Sequence, residues 1–392
     1  MAFERAYSQC QICTPSRASF LTGRYPSSIN ANINGADNMP EHYNLISKVL
    51  SDNGYDCGLI GKLHITSAWN GEPRMDDGYS YFEYNLSPGH DLEVDYSRYK
   101  DWLTEKGIDW HNIFENDGKH NYYWFKKDTP LELRQTYWCQ EKAREYFMKL
   151  KDSDKPWMLC VNVYDPHPPF DAPEEYEEKY LKRNLSEPIF SEKDRFEEEK
   201  LFDVYFQSSF KVPDTKEKRE KASYYGMIEV VDKHFGMILD SLEELGLRDD
   251  TVIIYTSDHG ESLGDHGHTH KGCRFYEGLV HVPLIISWPE KFKQNVRCED
   301  ITELTDIVPT ISEVTGIKYD DTTGFSLVPV LEGRGESGRK FARSEYYGVL
   351  EESGKFGSSN EGQECDDKYA GKTHETYGEM YLEGKYKLCI FP

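Results

Sequence analysis

The segment Cys10 to Arg24, which reads Cys-Gln-Ile-Cys-Thr-Pro-Ser-Arg-Ala-Ser-Phe-Leu-Thr-Gly-Arg, decides the fold. Thr14 is a good N-cap residue and Pro15 suits the first helical position, so the pattern predicts a helix that starts directly after Cys13. The free N–H groups and the positive end of the helix dipole would then lie beside the Cys13 side chain. Arg17 falls within the first turn, where its fork can hold an anionic oxygen. A reactive side chain in this setting is suited to nucleophilic catalysis.

The pattern C-T-P-S-R…T-G-R resembles the signature of the sulfatase family. In that family the cysteine is oxidised after synthesis to formylglycine, whose hydrated aldehyde attacks sulfur. The alternative interpretation is a redox pair or half a zinc knuckle formed by Cys10 and Cys13. It is disfavoured because no second CxxC is present and the residues that start the helix would have no purpose.

Composition limits the classes of partner. The chain has 392 residues and a net charge of −24, which argues against nucleic acid and anionic membranes as partners. An anionic substrate would also be repelled, so a sulfate pocket must be locally basic. We find no apolar run of the ~20 residues that a membrane helix needs and no secretory signal. The nine cysteines are scattered, which favours a reducing compartment without fixing the localisation.

A second candidate element follows a predicted strand, Tyr55 to Ile60. Ligands of open α/β sheets bind at the carboxyl ends of strands, and Gly61-Lys62-Leu63-His64 stands at such an end. This element resembles the G-K-W-H element of the sulfatases, with Leu63 in place of tryptophan. The resemblance implies that Lys62 and His64 contact the sulfate and the formylglycine; the alternative is a solvated lysine and a loop histidine.

A third element follows the predicted buried strand Trp157 to Val163. The run Tyr164-Asp165-Pro166-His167-Pro168-Pro169-Phe170 has prolines that fix a rigid loop. It resembles the family's D-P-H-x-P-F element, which implies that His167 reaches the substrate. A purely structural histidine is the alternative.

A metal site is expected at the end of the strand Thr251 to Tyr255. Asp258 and His259 follow this strand, and a carboxylate beside an imidazole suits a divalent cation. The run resembles the family's T-S-D-[NH]-G element, which implies that Asp258, His259 and the oxidised Cys13 bind Ca²⁺ or Mg²⁺. Lys271 resembles the family's sulfate-binding lysine.

One family feature has no counterpart. Sulfatase-like chains begin with a buried strand that ends in two metal-binding aspartates, whereas the segment Met1 to Tyr7 is too short for a full strand-loop unit. The pair Asp76-Asp77 lies in a Gly-rich loop and does not match. We therefore expect a chain that starts inside the family's domain, binds calcium weakly, aggregates and hydrolyses sulfate esters poorly.

The resemblance implies an α/β fold: an alkaline-phosphatase-like sandwich with a large mixed sheet between helices and a smaller antiparallel C-terminal lobe. We predict a catalytic domain over residues 1–295 and a C-terminal subdomain over 296–392. Small flexible residues cluster at 353–354 and 357–362, which predicts a mobile excursion. The aromatic residues between 79 and 124 are expected to be mostly core, with stacking on sugar rings as the alternative.

The function implied is hydrolysis of a sulfuric ester, with a sulfated carbohydrate as a reasonable substrate. Arg17, Lys62, His167 and Lys271 would hold the added charge of the transition state. Lys271 or His167 would assist the leaving alcohol, and His64 would be the base that releases sulfate. A formylglycine-generating enzyme is the implied maturation partner. Two alternatives stay open, namely a phosphonate or phosphate monoester hydrolase of the same superfamily and an inactive fragment without a complete metal site.

Overall fold

The structure is a computed structural model that describes residues 1–35, 39–40, 42–65, 77–89, 97–118, 123–151, 153–194, 215–268, 270–319, 321–350 and 374–391. The excursion predicted over residues 353–362 and Asp76 lie outside the described residues. No helix within the described ranges combines the length and the apolar character needed to cross a membrane.

The strands are β1 (Ala2–Tyr7), β2 (Asp56–Gly61), β3 (Tyr81–Tyr84), β4 (Phe114–Glu115), β5 (Trp124–Phe125), β6 (Trp157–Asn162), β7 (Ile253–Thr256), β8 (His281–Ser287), β9 (Arg297–Glu303), β10 (Phe341–Leu350), β11 (His374–Glu383) and β12 (Tyr386–Ile390). The α-helices are α1 (Cys13–Thr22), α2 (Ile46–Asp52), α3 (Arg98–Glu105), α4 (Trp110–Ile113), α5 (Gln135–Leu150), α6 (Glu174–Leu181), α7 (Thr215–Glu244), α8 (Glu277–Val280), α9 (Ile307–Thr315) and α10 (Val328–Leu331). Short 3₁₀ helices cover Pro26–Ile29, Leu131–Leu133, Asp265–Gly267 and Leu304–Asp306.

The strands of the main α/β layer fall into two groups. One group has the order β7-β8-β1-β9, in which β1 runs antiparallel to β8 and parallel to β9. The other has the order β3-β2-β6 and is wholly parallel. The arrangement confirms the predicted α/β class, and the carboxyl ends of β2, β6 and β7 deliver the candidate site residues.

The C-terminal sheet is the antiparallel meander β10-β11-β12, as predicted. Gly384, at φ +58°, forms the turn between β11 and β12. The division at residue 295 stays a prediction. The next strand, β9, pairs with β1, so residues directly beyond that point take part in the main layer.

Apolar side chains at helical spacing form the core beside the sheets. The aromatic residues Tyr99, Trp102 and Trp110 are buried with α5 residues such as Trp138, which confirms their prediction as core. Tyr99 and Trp138 meet edge to face with ring centroids 5.8 Å apart, a favoured geometry for aromatic pairs.

One local expectation about the first residues is wrong. Residues 2–7 do form a strand with a following loop, because six residues suffice when β8 and β9 pair with both edges. Residues 297–303 form β9, and helix α9 begins at Ile307. Charged residues in β9 hide its strand character in the sequence; Arg297 and Glu299 are exposed while the intervening Cys298 is buried.

Candidate active site

Helix α1 places Cys13 at the centre of the site. The helix begins at Cys13 itself, and its N-cap residue is Ile12, which makes no side-chain cap. The prediction of Thr14 as the N-cap is therefore wrong. The Thr14 N–H instead donates to Asn34 Oδ1 at 3.1 Å, and Thr14 Oγ1 accepts from the Gly35 N–H at 3.0 Å. These bonds fix the first turn, so Cys13 still lies at the positive helix end.

The candidate residues from distant parts of the sequence meet at Cys13. Its Sγ lies 3.2 Å from His259 Nε2, and the Lys62 ammonium donates to it at 3.6 Å. The side chains of His64 and His167 also hydrogen-bond the Cys13 side chain. The Sγ atom stands where an oxygen of formylglycine would stand, so the cluster surrounds the reacting atom.

Backbone carbonyls orient two of these imidazoles. His259 Nδ1 lies 2.8 Å from the Gly260 carbonyl, and His167 Nδ1 lies 2.6 Å from the Pro168 carbonyl. In the neutral rings Nδ1 carries the proton and donates it to the carbonyl, which leaves Nε2 as an acceptor. His64 reaches Cys13 from a left-handed backbone, with φ at +56°, a conformation uncommon outside glycine.

Arg17 has a different position from the one expected of a substrate-binding residue. Its Nε donates to Asp258 Oδ2 at 2.8 Å, and its Nη1 donates to the Lys62 carbonyl at 3.0 Å. The guanidinium therefore links Asp258, which follows β7, to Lys62, which follows β2. Its described contacts position Asp258 and Lys62 around Cys13.

The electrostatic field of the site favours an anion at position 13. Burial alone would raise the pKa of the Cys13 thiol, but Lys271, Lys62 and His259 hold that pKa well below its usual value. Burial lowers the pKa of Lys62, while the Cys13 thiolate opposes this change. A chain with a large net negative charge needs a locally basic pocket to bind an anionic substrate, and the groups around Cys13 form such a pocket.

His64 and His167 are neutral at physiological pH. Burial, followed by the charge of Lys62, lowers the pKa of His64 to about 4. Burial and Lys271 lower the pKa of His167 to about 3. Both imidazoles can thus accept a proton near pH 7.

The ligand atoms of Cys13, Asp258 and His259 lie within 4.8 Å of one another, as a shared metal ion requires. Burial would raise the pKa of Asp258, but Arg17 and His259 lower it to about 2, so the carboxylate is ionised. Calcium takes six to eight oxygen ligands. Asp258 is the one carboxylate in this cluster, and Arg17 already binds one of its oxygens, so the described residues supply only part of a calcium shell.

Sequence reasoning missed the residues that support the site. Asn162 Nδ2 donates to the Lys62 carbonyl at 2.8 Å, and Gln11 Nε2 donates to the Gly272 carbonyl, next to Lys271, at 2.8 Å. Glu261 is buried, and burial raises its pKa to about 7, although Lys271 opposes the change. Their closeness to the recognised motifs could have identified two of these residues. Gln11 lies inside the Cys10 to Arg24 segment, and Glu261 follows Gly260 directly.

The fold is shared with alkaline-phosphatase-like hydrolases. A phosphonate monoester hydrolase from Silicibacter pomeroyi superposes with a TM-score of 0.74 at 24% identity, covering 100% of this chain and 81% of the other. A protein solved in complex with its substrate D-glucosamine-2-N,6-O-disulfate gives a TM-score of 0.66 at 20% identity, covering 100% and 83%. At these identities the likeness establishes the fold alone.

The sulfatase family model matches residues 1–317. An arylsulfatase from Clostridium perfringens is 30% identical over 358 residues, covering 88% of this chain and 73% of the relative. A choline-sulfatase from Rhizobium meliloti is 26% identical over 351 residues, covering 84% and 64%. The chain belongs to the sulfatase family, whose members are sulfuric ester hydrolases that generally use a formylglycine and a divalent metal.

Proposed function

We propose that this protein hydrolyses sulfate esters, with Cys13 as formylglycine providing the nucleophile. The observation that carries the proposal is the convergence of Lys62, His259, His64 and His167 on the Cys13 side chain. Family membership supplies the reaction class, and the local basic field suits an anionic ester.

In the first step, one hydroxyl of the hydrated aldehyde at position 13 attacks sulfur. The new O–S bond forms while the bond from sulfur to the alcohol oxygen breaks. The proton lost by the attacking hydroxyl is balanced by the proton that the leaving alcohol gains. Neutral His167 accepts the proton lost by the attacking hydroxyl and passes it to the alcohol oxygen; alternatively, the Lys271 ammonium donates to that oxygen and is then reprotonated by His167.

Negative charge grows on the sulfate oxygens during this step. Lys62 is buried, and its ammonium already lies 3.6 Å from Cys13 Sγ, so it stabilises this charge without reorganisation. Lys271 is also buried and lowers the pKa of Cys13. Arg17 acts through Asp258 and the Lys62 backbone, which makes it a positioning residue in this proposal.

The second step restores the aldehyde. The remaining hydroxyl at position 13 gives its proton to neutral His64, the carbonyl re-forms, and the carbon–oxygen bond to sulfate breaks. The lowered pKa of His64 keeps the imidazole unprotonated for this role. Water then hydrates the aldehyde for the next cycle.

A divalent cation, Ca²⁺ or Mg²⁺, would polarise the sulfate oxygens. Asp258, His259 and position 13 would be this chain's share of its ligands. Because that donor set is incomplete, the steps above depend only on the protein's own groups.

The proposed substrate is a small-molecule or carbohydrate sulfate ester, and a formylglycine-generating enzyme is the proposed maturation partner. Relatives of this chain include an endo-4-O-sulfatase from Bacteroides thetaiotaomicron and an ulvan-active sulfatase from Formosa agariphila. These names support a carbohydrate as the alcohol component.

The test is a comparison of chromogenic sulfate and phosphonate esters with protein matured by a formylglycine-generating enzyme. We expect a higher kcat/KM for the sulfate ester, together with loss of turnover in Cys13→Ala. Lys106→Ala, on the surface near Glu141, is the matched control and should leave the rate unchanged. A preference for the phosphonate ester would favour the second function of the superfamily.

A further inference from the structure

Tyr164 contacts two of the groups that meet at Cys13. It is the second residue after β6, and only 7% of its surface is exposed. Its ring centroid lies 4.6 Å from that of His167, and the Lys62 ammonium lies over the same ring, 5.7 Å from the centroid. One buried aromatic side chain therefore contacts both the lysine and the histidine.

The Pro168 carbonyl links Tyr164 to the imidazole of His167. The Tyr164 hydroxyl donates to this carbonyl at 2.8 Å, and His167 Nδ1 lies 2.6 Å from the same oxygen. A carbonyl oxygen has two lone pairs and can accept both bonds. The His167 N–H also donates to the Tyr164 carbonyl at 3.0 Å, which closes the turn between the two residues. These bonds fix the imidazole with its proton on Nδ1, so that Nε2 is left for position 13.

The ring of Tyr164 also favours a cation beside it. The face of an aromatic ring carries partial negative charge and attracts a cation within about 6 Å of its centroid. Lys62 is buried, with 4% of its surface exposed, so its ammonium has lost most of its hydration. The ring compensates for part of this loss while Lys62 Nζ stays 3.6 Å from Cys13 Sγ.

Helix α5 fixes the position of Tyr164 itself. The Tyr164 N–H donates to Gln135 Oε1 at 3.1 Å, and the Thr136 hydroxyl donates to Asp165 Oδ2 at 2.6 Å. Gln135 and Thr136 are the first two residues of α5, and both are buried. The chain at Tyr164 is therefore anchored to a helix, which gives the ring a defined place from which it can orient its neighbours.

We propose that Tyr164 is a positioning residue of the active site, which holds the Lys62 ammonium and the His167 imidazole in register on position 13. The ring acts on both groups, and the hydroxyl acts on His167 through the Pro168 carbonyl. Tyr164 exchanges no proton with the substrate and forms no bond to it. The catalytic part of this inference rests on the proposed function, in which Lys62 stabilises the transition state and His167 transfers the proton.

Steady-state kinetics of the matured protein separates the ring from the hydroxyl. Tyr164→Leu removes both, and kcat for a sulfate ester should fall roughly 10²-fold, the effect of a misplacement of about 1 Å. KM should change less than about threefold, because the contacts of Lys62 and His167 strengthen in the transition state. Tyr164→Phe keeps the ring and should retain kcat within about fivefold, the scale of one hydrogen bond.

Tyr137→Leu is the matched control for these kinetics. The Tyr137 ring also contacts a histidine, His234, at 5.9 Å between ring centroids. Its removal should leave kcat and KM unchanged. Equal losses of kcat in Tyr164→Phe and Tyr164→Leu, or a change in KM alone, would overturn the proposal.

Fluorinated phenylalanines at position 164 test the charge of the ring while nearly keeping its shape. Fluorine withdraws electron density from the ring face, so the attraction for the Lys62 ammonium falls with each added fluorine. From Phe to trifluoro-Phe, kcat should fall progressively by about tenfold in total, and the series should be flat in Lys62→Met. A flat series with Lys62 present would overturn the proposed contact. These variants keep a ring in place, so they give an answer even where Tyr164→Leu does not fold.

Histidine NMR of the unmodified protein tests the contact with His167 without any ester. Spectra of ¹⁵N-labelled histidine report which ring nitrogen carries the proton, and His167→Gln identifies the His167 signal. We expect the Nδ1–H tautomer in the wild type, Tyr164→Phe and Tyr137→Leu, and a mixture of tautomers in Tyr164→Leu. A mixture in the wild type, or a pure Nδ1–H tautomer in folded Tyr164→Leu, would overturn the proposal. Failure of the proposed hydrolysis would leave these spectra unchanged, so the two failures are distinguishable.

Discussion

The Lys62 ammonium should control the ionisation of the residue at position 13, and Lys62→Met tests this in the unmodified thiol form. At 3.6 Å and an effective dielectric constant of about 20, one unit charge contributes about 4–5 kcal/mol to an adjacent thiolate. Even a third of this energy corresponds to a change of about tenfold in the ratio of thiolate to thiol, which is about one pH unit in the pKa. We therefore expect Lys62→Met to raise the pH midpoint of Cys13 alkylation by iodoacetamide by at least about one pH unit.

Peptide mass spectrometry can follow Cys13 selectively. Burial raises the pKa of Cys57 to about 12 and that of Cys160 to about 11, so these thiols stay protonated at pH 7. Lys62→Arg should retain most of the reactivity, and Lys106→Met, on the surface, should have no effect. A pH midpoint of alkylation in Lys62→Met within about 0.3 pH units of the wild-type value would refute the electrostatic argument.

Lys271→Ala in the matured enzyme should lower kcat/KM for a sulfate ester by roughly 10²–10³, the contribution of one preorganised donor; a loss under about threefold would identify an ordinary lysine. Gly260→Ala should destabilise the fold by about 3 kcal/mol, since an added Cβ would lie 1.9 Å from the Gly278 carbonyl oxygen. Gly278→Ala has no neighbour closer than 3.5 Å and is the control in thermal unfolding; equal Tm losses would contradict the argument. His64 and His167 have folded pKa values of about 4 and about 3, below the unfolded value of 6.5, so the unfolded chain binds more protons and Tm should fall as pH drops from 6.5 to 4. Replacing both with Asn should flatten this pH dependence of Tm, and an unchanged profile would show that other groups cause it.

The positions of the site residues could largely be predicted from the sequence, because these residues follow buried strands. Lys62, His167 and Asp258 each stand just beyond the carboxyl end of a strand that apolar runs predict. Parallel strands bring such ends to one edge of the layer. The catalytic and metal-binding roles assigned to these residues stay predictions until activity and binding are measured.

Features that depend on long-range contacts could not be predicted from the sequence. Thr14 caps no helix because Asn34 and Gly35 bind its backbone and hydroxyl groups. Arg17 binds Asp258, which is 241 positions away, so its positioning contacts could not be read from local spacing. Tertiary partners override local capping preference in both cases.

The separation of the strands into two groups, with β6 and β7 at their edges, is also a property of the folded chain. The sequence of each strand is that of an ordinary buried strand, and only the sheet order shows that, among the described residues, neither is paired on the facing edge. The partly buried state of both strands follows from this separation.

The central claim is that position 13 performs sulfate-ester hydrolysis. The most direct measurement is sulfate release from a chromogenic sulfate ester by the matured chain and by Cys13→Ala, with calcium present. The account predicts formylglycine at position 13 by mass spectrometry and turnover that disappears in Cys13→Ala. No turnover by the matured chain under these conditions, or turnover that survives the substitution, would contradict it.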